Sequence, residues 1–213
     1  MTDLTPVSPV CAFPFALAVP ASHPARDLAG FAAWAKTQPG KTAFATPAAG
    51  SLPHILGMKM GRELGIELTH IPYRGGAPAL QDLLGGTIPA AIVVLGEVAR
   101  VAEGRGVRVL AHSGAERTPR LPNLPTFGEL GHPGLTAEEW YGVFLPPNAP
   151  PALVAGLQRA VAESVASPQT AAAFARLEYR PFVGGSREFA DSIRAERIRM
   201  GELVRDSGFQ PEE

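Results

Sequence analysis

The chain has 213 residues, a formal net charge of −1, and a composition that is 46% hydrophobic and 18% charged. That length is enough to bury a core as one large domain or two small ones, and the balanced charge gives no electrostatic reason to expect nucleic acid or anionic lipid as a partner. Cys11 is the only cysteine, which excludes an intrachain disulfide and a cysteine metal cluster, and no apolar run approaches the roughly 18 residues of a membrane span.

In chain order, residues 10–19 are apolar and read as a buried strand. Pro6, Pro9 and Pro14 interrupt the stretch and Asp3 is the only charge before His23, so it makes no convincing secretion signal. Residues 27–36 carry Leu28, Phe31, Ala32 and Ala35 at helical spacing, and Pro39-Gly40 closes that helix with a turn. A short apolar strand at 42–46 leads into the small-residue loop Pro47-Ala48-Ala49-Gly50-Ser51. The next helix covers 51–64, with Ser51 as its expected N-cap, Pro53 in its first turn and Gly65 closing it.

The unit then repeats. A strand at 67–71, the loop Tyr73-Arg74-Gly75-Gly76 and a helix at 77–84 lead into the near-continuous apolar run 88–95. Such a run marks a strand buried on both faces of a parallel sheet. A short helix at 97–102 and a strand at 107–111 continue the alternation, so the fold class is α/β with a parallel sheet. Pro119, Pro122, Pro125 and Pro133 make 118–133 a surface connection, with a short helix expected at 126–130. A strand at 140–145, helices at 152–167 and 169–177, a strand at 179–183 and a long helix at 188–206 suggest a second structural unit beginning near residue 137.

In a parallel sheet with right-handed crossovers, every strand-to-helix loop emerges at the same edge, where ligands of open α/β sheets bind. Both small-residue loops belong there. Each opens a helix whose free N–H groups and positive dipole end favour an anion. Thr46, Ser51 and Tyr73 add hydroxyls, while His54 and Arg74 add candidate positive charge, a set that suits a carboxylate better than a neutral sugar. Other chemistry fails on inspection. Gly40-Lys41-Thr42 lacks the first glycine of a phosphate loop and follows a helix where a strand is required. His112-Ser113-Gly114 lacks the first glycine of a nucleophile elbow. The five histidines show no i, i+4 metal pairing, and the adjacent acids Glu138 and Glu139 would point to opposite faces of a strand. No catalytic residue, metal or cofactor is expected; an α/β enzyme using His54 and Asp82 stands only as a third reading.

At this point the residues carry a resemblance. Pro47-Ala48-Ala49-Gly50-Ser51-Leu52-Pro53-His54, the run from His70 through Tyr73-Arg74-Gly75-Gly76-Ala77-Pro78 to Gly86, Arg117-Thr118-Pro119, Trp140-Tyr141-Gly142 and the terminal Val204-Arg205-Asp206-Ser207-Gly208 resemble the Bug (TctC-like) solute-binding proteins of tripartite tricarboxylate transporters. The resemblance implies a periplasmic-binding-protein type II-like fold, a periplasmic location and a two-lobed receptor that closes on a small carboxylate, often a di- or tricarboxylate or an acidic amino acid. It further implies delivery to the transporter's membrane subunits. The matching ligand-binding positions are Thr46, Ala48, Ala49, Gly50, Ser51 and His54 on one loop, and Tyr73, Arg74, Gly75, Gly76 and Pro78 on the other.

Departures from the family set further expectations. A signal peptide and a P-x-P-G-G loop normally precede the matched region. Residues 13–136 are therefore expected to form one complete parallel-sheet lobe, and 1–12 with 137–213 a second lobe only partly encoded. An Asp is usual where Pro89 stands and after the next strand, where Ala90-Ala91-Ile92-Val93-Val94 is wholly apolar; its loss points to a ligand without an ammonium group. Small residues are more typical where Glu138 and Glu139 stand. The alternative is a truncated, non-binding remnant that self-associates as a homo-oligomer through its incomplete lobe.

Overall fold

The structure, a computed structural model, describes residues 3–38, 40, 42–104 and 106–210. Pro39 of the expected turn and Lys41 of the Gly40-Lys41-Thr42 run lie outside the described residues. The chain separates into two compact units, one of Pro14–Glu138 with Leu203–Glu213 and one of Met1–Phe13 with Glu139–Glu202.

The larger unit takes the second part of β1 (Thr5–Pro20), then α1 (Leu28–Lys36), β2 (Ala43–Thr46), α2 (Leu52–Leu64), β3 (Thr69–Pro72), α3 (Gly76–Leu84), β4 (Ala91–Val94), α4 (Leu95–Glu103) and β5 (Val107–His112). Its strands are ordered β3-β2-β4-β1-β5. β2 is parallel to β3 and β4, whereas β1 runs antiparallel to β4 and β5. The wholly parallel sheet expected from sequence is thus corrected to a mixed one. An apolar run reports that a strand is buried, not which way it points. The consequence for function is small, because the loops after β2, β3 and β4 still share one edge, and the reversed β1 brings Phe15 beside Val94 at that edge.

Alternation along the strands builds two cores. On one face Ala16, Ala18, Ala45, Ala91 and Val93 pack with Ala79, Leu80 and Leu83 of α3 and with Leu95 and Val98 of α4. On the other, Phe44 is fully buried beneath α2, and the missing side chain of Gly57 is what admits its ring. The apolar run at 88–95 is shared between elements: four residues make β4, and Leu95 already starts α4. No helix forms at 126–130. Four prolines flank that stretch, and Thr126 and Glu129 instead close a turn reciprocally, the Thr126 N–H donating to the Glu129 carboxylate and the Glu129 N–H to the Thr126 hydroxyl.

The smaller unit holds the start of β1, β6 (Glu138–Leu145), α5 (Pro151–Ala166), α6 (Pro168–Leu177), β7 (Arg180–Pro181) and most of α7 (Ser186–Ser207). β6 and β7 pair with β1, and the strand expected at 179–183 is only two residues long. An aromatic cluster supports the strands: Phe189 is buried edge-on against Trp140 at 5.0 Å, and Phe13 stacks on Tyr179 at 5.1 Å. The chain from Leu203 on clusters with the larger unit instead of the smaller. There Arg62 donates to the Asp206 carbonyl at 2.9 Å and Lys59 lies 3.5 Å from the Asp206 carboxylate. Among the described residues no helix is long and apolar enough to cross a membrane.

Candidate functional site

The β2–α2 loop is held from below by two histidines. Thr46, buried at the end of β2, donates its hydroxyl to the Ala48 carbonyl at 3.0 Å and meets Nε2 of His70 at 2.7 Å. With the hydroxyl proton committed to Ala48, His70 must supply the second proton, which fixes it as the Nε2–H tautomer. Gly50 (φ +69°) donates its N–H to Nδ1 of His54 at 3.1 Å, so neutral His54 carries its proton on Nε2. The two imidazoles stack with centroids 3.5 Å apart and planes 12° from parallel. Phe44 lies 5.2 Å from His70, and Phe209 closes edge-on over His54 at 5.3 Å. Burial, and then the neighbouring His54, push the His70 pKa down to about 4.

Above this support Ala48, Ala49 and Gly50 are exposed. Ser51 occupies the N-cap position of α2, yet its hydroxyl donates to the Ala48 carbonyl at 2.6 Å and caps no helix N–H. The expected cap is therefore corrected in its chemistry though not in its place. Ser51 ties the loop to itself and leaves the head of α2 without a side-chain acceptor.

The β3–α3 loop is laced to the first. Tyr73 N–H donates to the Thr46 carbonyl and Gly75 N–H to the Pro47 carbonyl, both at 2.9 Å. Gly75 sits at φ +107°, a conformation open to glycine and strained for other residues. The Tyr73 hydroxyl donates to the Asp82 carboxylate at 2.6 Å, and that bond, reinforced by burial, pushes the phenol pKa up to about 12. Arg74 is exposed, and so is Pro78 in the first turn of α3.

The structure therefore brings all eleven sequence-selected positions to one edge in two grades. Ala48, Ala49, Gly50 and Arg74 lie open, while Thr46, His54 and Tyr73 are spent on internal hydrogen bonds that shape the loops. Sequence reading missed His70 and Phe209. Only His70 had a legible signal, since it falls opposite Phe44 when β2 and β3 are paired in register. Ser113 is a latch, accepting from Phe15 N–H at 2.9 Å and donating to the Ala137 carbonyl. Among the described residues no group of three or more His, Cys, Asp or Glu is placed to hold a metal ion.

Comparison with known proteins places this architecture. The chain matches the tripartite tricarboxylate transporter family receptor, TctC, over residues 1–209. Protein BugT of Bordetella pertussis (strain Tohama I) is 32% identical over 208 residues, covering 98% of this chain and 64% of BugT. Among solved structures, R. palustris Rpa4515 with adipate superposes with a TM-score of 0.93 at 29% identity, covering 99% of this chain and 71% of that one. MatC (Rpa3494) from Rhodopseudomonas palustris with bound malate gives 0.85 at 25% identity, covering 94% and 69%. The chain spans 60% to 64% of the length of the first curated relatives it matches. The α/β periplasmic-binding-protein fold expected from the motifs is the fold observed. From its first residues to its last helix, this chain belongs to the TctC family of tripartite tricarboxylate transporter receptors.

Proposed function

We propose that the chain acts as an extracytoplasmic receptor and not as an enzyme. It takes a small carboxylate, of the di- or tricarboxylate or acidic amino-acid class, and passes it to the membrane subunits of a tripartite tricarboxylate transporter. The observation that carries this is the head of α2, where exposed Ala48, Ala49 and Gly50 precede a helix start that no side chain caps. The positive end of the helix dipole favours a carboxylate, and small residues let it approach. The adipate and malate bound to Rpa4515 and MatC support the same ligand class. Ala48, Ala49, Gly50, Ser51, Arg74, Gly75, Gly76 and Pro78 form the contact surface in this proposal, with Thr46, His54 and Tyr73 setting its shape.

Titration calorimetry with adipate, malate, citrate and glutamate tests it. At least one acid is expected to bind, and Ala49→Asp, which sets a negative charge on an exposed loop position, is expected to weaken binding about tenfold or more with unchanged thermal stability. No binding heat from any of the four, or an Ala49→Asp variant that binds as the parent does, contradicts it.

One observation favours a second reading, self-association. The smaller unit exposes large apolar side chains, Tyr141 at 55% and Ile198 at 68%, apolar area that a second copy would take out of water. Sedimentation equilibrium decides, because a strictly monomeric species removes this second reading and leaves the first untouched.

A further inference from the structure

The two helix heads at this edge are not equivalent. α2 opens with no acid in its first turn and no side-chain cap. α3 opens at Gly76, and the Glu97 carboxyl from the first turn of α4 is pressed against it: a Cβ on Gly76 would lie 2.1 Å from Glu97 Oε2. That oxygen is shut off from solvent and has no hydrogen-bond partner among the described residues. Burial raises the Glu97 pKa, an effect that Arg100 on the same helix only partly offsets. A carboxyl in that condition is a local cost to the fold, and such conflicts concentrate at functional sites.

Glu97 already occupies the place on α3 where a ligand's second carboxylate would sit. The neighbouring charged groups do not cancel it. Asp82, on α3 itself, is engaged by the Tyr73 hydroxyl. Arg74 is exposed, so solvent screens its pull on an incoming anion. Glu97 is shielded, and its field at the α3 head is screened less. Gly76 being glycine is what lets the carboxyl come this close.

We propose that Glu97 is a specificity-determining residue. It restricts the edge to a single ligand carboxylate, held at the head of α2, and selects ligands whose other end, beside α3, carries no negative charge. This rests on the reading above that the head of α2 holds a carboxylate, and it replaces the di- or tricarboxylate or acidic amino-acid class named there with monocarboxylates.

The test is a pair of straight-chain acids matched in length, hexanoate and adipate, titrated against the parent chain, Glu97→Gln and Glu97→Ala. The parent is expected to prefer hexanoate by about tenfold or more. Both variants are expected to shrink that preference several-fold by gaining adipate, Glu97→Gln by removing charge at constant shape and Glu97→Ala by emptying the α3 head. The quantity read is the ratio of the two affinities within one preparation, so a smaller folded fraction in a variant cancels. A parent that prefers adipate, or a ratio that neither variant moves, overturns the role given to Glu97 while leaving the receptor reading intact. Binding of neither acid, nor of any in the wider panel, to parent and variants alike overturns both.

Discussion

Alanine in place of Gly57 is expected to destabilise the chain by about 2 kcal/mol net, against the usual trend for a glycine inside a helix. Gly→Ala in a helix interior normally gains up to about 1 kcal/mol, because alanine costs less backbone entropy. At Gly57 the added Cβ would fall 2.0 Å from Cε2 and 2.5 Å from Cζ of Phe44. Real carbon contacts of this kind lie near 3.5–4.0 Å, so either the ring or α2 must move. Phe44 is fully buried, and overpacking a closed core typically costs about 1–3 kcal/mol and occasionally more. The clash therefore outweighs the entropic gain.

Urea unfolding of Gly57→Ala, Phe44→Leu and the double variant measures it. If steric conflict with the ring is the cause, the smaller Leu side chain relieves it, and the double variant should be more stable than the sum of the single losses predicts by about 1 kcal/mol or more. A Gly57→Ala protein at least as stable as the parent would falsify the packing account. There is a functional side to the same substitution. Phe44 lies against both His54 and His70, so a displaced ring disturbs the support of the β2–α2 loop, and carboxylate affinity should fall in Gly57→Ala even where the protein is fully folded.

Why some of this was legible in the sequence and some was not follows from the range of each interaction. The two loops could be read because their determinants are local: Pro47 to Ser51 and Tyr73 to Gly76 are small or turn-forming residues set between an apolar strand and a helical stripe. Gly75, with its φ of +107°, is a case where backbone geometry demands the residue that is written. The direction of β1 was not legible, since the pairing of Phe15 with Val94 spans 79 positions and nothing in the apolar run encodes orientation. Ser51 was correctly placed at the helix start, but propensity cannot say whether its hydroxyl will choose a helix N–H or the Ala48 carbonyl. His70 and Phe209 escaped for a common reason: each acts on an element other than its own. His70 on β3 steadies the loop after β2, and Phe209 near the chain end covers His54 on α2.

Between pH 6.5 and 4 the chain is expected to lose stability, and His70 is expected to account for a loss on the order of 2 kcal/mol. In the folded protein burial, and then the neighbouring His54, hold its pKa near 4, against 6.5 for an ordinary histidine. Above 6.5 the imidazole is neutral in both folded and unfolded chains, and its contribution is fully present. As the pH falls through this window the unfolded chain takes up a proton that the folded chain refuses, so stability drains away until the folded pKa is passed near 4. A shift of this size corresponds to about 3 kcal/mol at full strength, which partial solvent access to His70 reduces. The larger cause is burial of the imidazole, and the His54 ring stacked 3.5 Å away adds a smaller effect in the same direction. His70→Gln, which keeps a donor for the Thr46 hydroxyl, should be markedly less sensitive over the same range. Some slope will remain in that variant, because burial also lowers the pKa of His23 and His112; the difference between parent and variant isolates His70. Removing the partner instead, by His54→Gln, should raise the His70 midpoint in an NMR titration, since the neighbouring charge is gone and burial alone remains. Equal slopes in parent and His70→Gln, or a His70 midpoint near 6.5 in the folded parent, would mean that the stacked pair does not hold the loop in a charge-averse state. If the slopes differ as expected, carboxylate affinity should weaken over the same window, because Thr46, Ala48 and Gly50 are all held through these two rings.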